Sequence, residues 1–418
     1  GAAGAGRYLA PETEATPLTP EDGAAATATV VDVEGAGLVE VEAADGTAAL
    51  AAAATLARTG AGDLRGLAGA ACRPPAATAW VVAGATTLGS SARLVIANPG
   101  ATPATVTLTL WGATGPLDPG QSGTLLVPPR GEESVLLEAV APEQVRLAVH
   151  LRAAGGQVAA WVQDSELRGF VPAGTDYAGP AADPAGRLLV PGLVLAASAI
   201  DDADASLVRI LNPHADPVTV RLRLLGRDGA VSVPGAEETV VEPGSVTDVS
   251  LAGVPAGAYA AELVADRPVT AAAMLVRVGR AGRDDPDQPV VERAWTPATH
   301  PAATSVLALP AVGRPAVTGA VLVTNPGEEE VAVVVRPVRG DGTPPRTTEM
   351  TVPGLSTVPV DEDALAGAVA VSLTTPGAGI AASAVTTARA GDGELVTVLS
   401  GQPDLASEQH ISVRLPRP

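Results

Sequence analysis

The 418-residue chain has no lysine, one cysteine, three asparagines and eight aromatic residues, and each shortage closes off a class of explanation. Without lysine there is no Walker-type phosphate loop, whose lysine reaches the terminal phosphates. With Cys72 alone there is no intrachain disulfide framework and no Cys-His nucleophile pair, and a lone cysteine of this kind is expected to be buried and inert. No apolar run reaches the roughly 18 residues of a membrane span. The opening Gly-Ala-Ala-Gly-Ala-Gly shows neither the charged nor the apolar region of a signal peptide. Because the chain starts without Met, the expectation is that an export signal or membrane anchor has been trimmed away. The 26 basic residues are all Arg against 46 acidic ones, a net charge of −20. That balance argues against nucleic acid and anionic lipid as partners, since both require a basic face. Absent lysine and scarce asparagine fit the codon bias of a GC-rich genome.

What the chain does have is alanine, valine, leucine, 46 Gly and 38 Pro. The glycines and prolines punctuate short apolar runs, the pattern of many short strands joined by turns. With so few rings the core must come from Val, Leu and Ala, each buried Val or Leu contributing about 1.5–3 kcal/mol.

Internal repeats set the organisation. All three asparagines precede proline, at Asn98, Asn212 and Asn325, spaced 212 − 98 = 114 and 325 − 212 = 113 residues. Each closes an apolar run, such as Val208-Arg209-Ile210-Leu211-Asn212-Pro213, and is followed by an alternating one, such as Val218-Thr219-Val220-Arg221-Leu222-Arg223-Leu224. Val158-Ala159-Ala160, Val269-Thr270-Ala271 and Ile380-Ala381-Ala382 recur at a spacing of 111 (269 − 158 and 380 − 269). Runs ending in proline close the units: Leu188-Leu189-Val190-Pro191, Val306 to Pro310 and Ile411 to Pro416. The second half of the unit occurs a fourth time near the N-terminus, where the Ala-rich run 48–57 reads as helix by propensity but as strand by the repeat. Asn-Pro has a mechanical reading: proline has no N–H to continue a ladder, and the Asn side chain can satisfy turn backbone groups.

About seven alternating runs in a unit of about 110 residues match the strand count of an immunoglobulin or fibronectin-like sandwich. The expected fold is all-β, with tandem sandwich repeats; the alternative is a seven-bladed β-propeller made of half-units. The expected divisions are a linker over 1–26, an N-terminal half repeat over 27–79, and full repeats over 80–186, 187–304 and 305–418. A half sandwich exposes strand edges, so the half repeat is expected to be completed by residues 27–37 or to pack on the first full unit.

Asp63-Leu64-Arg65-Gly66-Leu67, Cys72-Arg73-Pro74-Pro75, Trp80 to Thr86 and the stretch Arg93 to Thr109 with its Asn-Pro-Gly turn carry a resemblance. They resemble an uncharacterised family of actinobacterial envelope proteins, over most of residues 38–418. The resemblance implies an extracytoplasmic location and a native N-terminal anchor or signal. It brings no activity and therefore no functional residues.

No catalytic constellation appears in the sequence. His150, His214, His300 and His410 share no motif, and no Gly-x-Ser-x-Gly elbow lies between a strand and a helix. The acidic runs Asp201-Asp202-Ala203-Asp204 and Asp284-Asp285-Pro286-Asp287 read as solvated turns rather than calcium loops, and no cofactor or metal is expected. Trp161, Phe170 and Tyr177 fall within 17 residues and form the one candidate ligand or interface cluster. The functional expectation is a non-catalytic structural or protein-interaction scaffold of the cell envelope, with a cell-envelope glycan-binding module as the alternative. The expected partner is an envelope protein or glycan.

Overall fold

The computed structural model describes residues 6–9, 16–18, 35–41, 51–281, 285–310, 317–340, 346–377 and 379–403. Residues 35–71 contribute β3 (Leu38–Val41), β4 (Ala54–Thr59) and β5 (Gly66–Ala71), preceded by β1 (Gly6–Leu9) and β2 (Thr16–Leu18). Thus two strands form inside the stretch 1–26 expected to be a linker. The Ala-rich run enters β4 from Ala54, as strand rather than helix.

The first unit runs through β6 (Thr78–Val81), β7 (Ser90–Asn98), β8 (Ala104–Gly112), β9 (Gly115–Leu117), β10 (Thr124–Val127), β11 (Gly131–Leu136), β12 (Ala148–Ala154), β13 (Ala159–Arg168) and β14 (Val171–Ala178). The second comprises β15 (Ala185–Leu195), β16 (Leu207–Leu211), β17 (Val218–Gly226), β18 (Gly229–Ser232), β19 (Glu238–Val241), β20 (Val246–Ser250), β21 (Gly257–Ala281) and β22 (Pro289–Pro297). The third comprises β23 (Thr304–Ala308), β24 (Val317–Asn325), β25 (Val331–Arg339), β26 (Thr348–Val352), β27 (Ser356–Pro359), β28 (Ala368–Thr374), β29 (Ala381–Ala390), β30 (Gly393–Ser400) and β31 (Gln402–Pro403).

Every unit repeats two antiparallel ladders. The outer one has the order β10-β8-β12-β6 in the first unit, β19-β17-β21-β15 in the second and β26-β25-β28-β23 in the third. The inner one has the order β11-β7-β13-β14, then β20-β16-β21-β22, then β27-β24-β29-β30. In the second unit the 25-residue β21 passes from the outer ladder into the inner one and joins them into a single eight-stranded sheet. Alternation explains the packing: on β8, Ala104, Val106, Leu108 and Leu110 are buried, while Thr105, Thr107 and Thr109 face water. The buried faces of the first two units fuse into one continuous core, and the third unit has its own.

The inner strands decide how the units sit together. β14 packs on β22, β22 on β30, β30 on β5 and β5 on β14, so four sheets stand like blades around one axis. The protein is all-β, as expected, but its units are gathered about a centre, and the sheets at that centre number four rather than seven. Among the described residues the fourth sheet has two strands, β4 and β5, where the others have four. Close approach at the axis demands small residues. Gly174 sits at φ +105°, and a Cβ there would lie 2.6 Å from the Arg293 amide nitrogen.

The repeated asparagines prove to be internal staples. Asn98, Asn212 and Asn325 are buried. In each, the side-chain carbonyl accepts the N–H two residues on, at 2.9 Å. The amide of each donates to the carbonyl four residues on and to the last residue of an outer-ladder strand: Val127, Val241 or Val352. One side chain thus shapes the turn and ties inner sheet to outer.

Candidate functional site: a buried polar axis and the cleft beside it

Residues 171–178, 289–297 and 393–400 form apolar inner strands interrupted by a few charged side chains, and those side chains meet at the axis. Asp176 on β14 is fully enclosed. One of its oxygens accepts the Gly69 N–H at 3.0 Å and the Thr397 hydroxyl at 3.1 Å, and the other accepts the Trp295 N–H at 2.6 Å. A carboxyl from the first unit therefore holds the N-terminal hairpin, the second unit and the third. Glu292 on β22 accepts the Leu67 N–H at 2.8 Å and the Val396 N–H at 3.4 Å, and its second oxygen lies 3.5 Å from Arg65. Arg65 in turn forks onto Asp392 at 2.8 and 2.6 Å. Burial pushes Asp176 up to about 8, against the pull of its N–H and hydroxyl donors. Burial likewise raises Glu292 to about 8, with the Leu67 N–H and Arg65 pulling the other way.

From the axis the network runs outward between the first two units. The Trp295 indole N–H donates to Asp164 at 2.8 Å, and the Arg209 guanidinium lies 5.0 Å over the same ring. Arg209 forks onto Asp248 at 2.8 and 2.9 Å and donates to the Gly84 carbonyl at 2.6 Å. Arg293 pairs with Glu166 and donates to the Ala173 carbonyl at 2.8 Å. Arg168 forks onto Asp204 at 2.9 and 2.5 Å. All of these residues except Asp164 and Ala173 line a cleft of roughly 200 Å³, together with Thr87, Ser90 and Val145. Segments next in sequence to lining residues carry large apolar side chains turned to solvent: Leu88 is 96% exposed, Phe170 87% and Ile200 75%, while Val145, itself in the lining, is 55% exposed. The Leu88 and Phe170 turns are tied together by the Leu167 N–H, which donates to the Gly89 carbonyl at 2.8 Å.

The charged groups of this site work on one another. Each guanidinium at the cleft is forked or paired onto a carboxylate, an arrangement that fixes geometry. Among the described residues, no group of three or more His, Cys, Asp or Glu is placed to hold a metal ion.

The structure separates the aromatic cluster read from the sequence. Trp161 and Tyr177 are half-buried near the open end of the β13–β14 hairpin, where Tyr177 stands opposite Gln163. Phe170 is at the hairpin's turn, about 20 Å away by the rise of six strand residues. Cys72 is exposed at the end of β5 and not buried as expected. The other rings form a group of their own: His150 stacks on Trp80 at 3.9 Å between centroids, and Trp80 stacks on Trp111 at 5.5 Å. Thr78 hydrogen-bonds the His150 ring at 2.7 Å, and burial lowers the His150 pKa. Reading by motif passes over Arg65, Asp164, Asp176, Arg209, Glu292, Arg293 and Trp295. The signal that marks three of them is a charged pair inside an apolar strand run, Val290-Val291-Glu292-Arg293-Ala294-Trp295.

Repeated two-ladder units clamped about a polar axis define an all-β protein of closed, quasi-fourfold architecture. The chain belongs to a family of unknown function, DUF5719, whose model matches residues 24–363. No match was found among curated proteins or among solved structures.

Proposed function

We propose that the protein is a non-catalytic, extracytoplasmic interaction scaffold of the cell envelope, of actinobacterial origin. In this reading each full unit is a variant of the immunoglobulin or fibronectin-like sandwich whose inner sheet also serves as a blade. The observation that carries it is a set of large apolar side chains left exposed, Val145 in the cleft lining and Leu88, Phe170 and Ile200 on segments next in sequence to lining residues, with the Leu88 and Phe170 turns hydrogen-bonded to each other. Soluble proteins seldom leave several large apolar side chains exposed in one neighbourhood unless a partner covers them. The commitment of the buried charges to clamping the sheets supports the same reading, because it leaves binding to the loops. The resemblance to envelope proteins supplies the location.

A second reading, recognition of an envelope glycan, is favoured by Phe170, whose ring is free to lie against a sugar face. Co-sedimentation separates the two. The chain is incubated with isolated cell-wall glycan and, separately, with detergent-solubilised envelope proteins, alongside a Leu88→Ser/Phe170→Ser variant. Retention with envelope proteins that the variant loses supports the scaffold. Retention on protein-free glycan that the variant loses moves the protein to the glycan-binding class. Unchanged retention by the variant removes this face from either reading.

A further inference from the structure

In a chain of net charge −20, an anion meets a repulsive surface except where guanidiniums outnumber carboxylates locally. One such place lies where the end of β21 meets the turn between β29 and β30. Val278 to Arg280 and residues between Arg389 and Glu394 line an open groove of roughly 480 Å³ there. It shares no lining residue with the cleft between the first two units. Glycines let the two segments touch. A Cβ at Gly279 would lie 2.5 Å from the Asp392 carbonyl oxygen, and one at Gly393 would lie 3.0 Å from the Gly279 Cα. The Arg280 N–H donates to the Asp392 carbonyl at 2.7 Å, which pins one wall of the groove to the other.

The charges of this groove divide into two kinds. Asp392 and Glu394 are neutralised from behind: Arg65 forks onto Asp392, and Arg277 donates to Glu394 at 2.9 Å while its other nitrogens donate to the Val276 and Val194 carbonyls. Arg280 and Arg389 are exposed, and among the described residues neither guanidinium has a hydrogen-bond or ion-pair partner. Arg389 stands directly opposite Glu394 in the β29–β30 ladder, so the two share a face, the one from which Glu394 reaches Arg277 of β21. Arg58 joins them from the N-terminal hairpin by donating to the Arg389 carbonyl at 2.8 Å. The guanidiniums of Arg58, Arg65, Arg277, Arg280 and Arg389 thus outnumber the carboxylates of Asp392, Glu394 and, behind Arg65, Glu292. Asp285 and Asp287, on the turn after β21, lie outside the lining, and Asp285 caps that turn by accepting the Asp287 N–H at 3.1 Å. In the cleft every guanidinium is committed to a carboxylate; in this groove two are left without one.

We infer that the groove binds a phosphorylated sugar, with Arg280 and Arg389 holding the phosphate. A phosphate carries three terminal oxygens on one centre and can take two guanidinium forks at once, whereas a carboxylate presents a single bidentate edge. The groove has the volume of a small-molecule pocket, more than a phosphate alone fills. Asp392 and Glu394, partly exposed and with their charge already met, are acceptors for sugar hydroxyls, and Val278, itself 53% exposed, adds an apolar wall. The phosphate can belong to a soluble sugar ester or to a repeating unit of an anionic glycan, since the chemistry at the two arginines is the same. The inference stands apart from the exposed apolar side chains that carry the proposed function.

Isothermal titration calorimetry of the full chain at low ionic strength tests it with glucose 6-phosphate, glucose, inorganic phosphate and phosphorylated dextran. Glucose 6-phosphate should bind, glucose should not, and inorganic phosphate should bind about tenfold more weakly than the sugar phosphate. Arg280→Gln/Arg389→Gln should weaken glucose 6-phosphate by about tenfold or more, with an unchanged thermal melt because both side chains are exposed and unpartnered. Arg227→Gln/Arg336→Gln makes the same change of net charge at exposed positions outside the lining, and should leave the affinity within about twofold. Phosphorylated dextran that binds more tightly per phosphate than the monomer assigns the groove to an anionic glycan, and weaker binding assigns it to a soluble ester. The inference is overturned if glucose 6-phosphate fails to bind at millimolar concentration, or if inorganic phosphate binds as tightly. It is also overturned if the groove variant binds like the parent, or if the control variant loses as much as the groove variant. The Leu88→Ser/Phe170→Ser variant should bind glucose 6-phosphate like the parent, so failure of either reading leaves the other intact.

Discussion

Replacing Asn212 with alanine tests whether the repeated Asn-Pro turns are staples or ligand-binding turns. The side chain donates to the carbonyls of Asp216 at 2.8 Å, Val241 at 3.1 Å and Glu242 at 3.1 Å, and accepts the His214 N–H at 2.9 Å. An amide has two hydrogens, so two of the three donor contacts can be strong at once. Truncation leaves the Val241 carbonyl without this donor in the interior, and the His214 N–H and Asp216 carbonyl partly enclosed. At about 1–3 kcal/mol for each buried group deprived of its partner, with partial solvent compensation at the last two, the loss comes to about 2–4 kcal/mol. Because the first two units share one core, about 2–4 °C per kcal/mol applies and the melt moves roughly 4–16 °C lower, which calorimetry or circular dichroism can follow. Asn212→Asp is the sharper variant: it keeps the acceptor for His214 but turns oxygens toward the carbonyls, and should cost more than alanine. Asn325→Ala should behave like Asn212→Ala, because its contacts match group for group, and Asn98→Ala should cost about as much, since it shares the two donor contacts and the acceptor and lacks only the third, weaker donor contact. A melting temperature unchanged within about 2 °C in Asn212→Ala, or an aspartate variant milder than the alanine one, would refute the staple.

Three further outcomes follow from the axis. Asp176 and Glu292 hold their protons up to about pH 8 in the folded protein, whereas the unfolded chain releases them near pH 4. Folding stability should therefore decline as pH rises between those values, by at most about 1.4 kcal/mol per pH unit per group, and level off above. Urea melts at a series of pH values read this, and Glu292→Gln should make the decline shallower; a stability that climbs over the same range would contradict it. Gly174→Ala places a methyl against the Arg293 backbone at a positive φ and should lower the melting temperature by several degrees, while Gly229→Ala, at a positive φ with open space around it, should cost less. Arg65→Ala removes the fork to Asp392 and the charge beside Glu292, so limited proteolysis should cut residues 54–71 faster than in the parent while the first unit stays intact. Equal cleavage would mean that apolar packing alone holds the hairpin.

The repeat was legible in the sequence because its cue is local. An asparagine before a proline marks a strand end wherever it stands, and the buried geometry of Asn98, Asn212 and Asn325 matches the mechanical reading of that pair. The strand at Ala54 was legible for the same reason, since comparison with its copies outweighs alanine's helix propensity. The axis was not legible, because its partners lie far apart: Gly69 is 107 residues from Asp176, Trp295 is 119 and Thr397 is 221. Alternation tells which face of a strand is buried but not which other strand it meets. β1 and β2 were hidden by their shortness and by Pro17 within β2. A proline reads as linker, yet is tolerated here because β2 is the outermost strand of its sheet. The spread of the aromatic trio has a related reason, as closeness in sequence across a hairpin turn does not bring side chains together unless the register sets them opposite. Phe170 lies in that turn, far along the hairpin from Trp161.

Chains of similar repeats ordinarily behave as additive rows, where a unit can be lost or gained at an end and melting spreads between neighbours. The Asp176 clamp makes this molecule a different kind of object. Its contacts draw on Gly69, Trp295 and Thr397, a different residue type from each of the other three sheets. The units have thus ceased to be interchangeable parts, although their outer strands still match closely. Exchanging the order of two of them would preserve every ladder and destroy the centre. Duplication can have supplied such a ring, but once the centre had specialised, no unit could be traded, dropped or added without dismantling the rest.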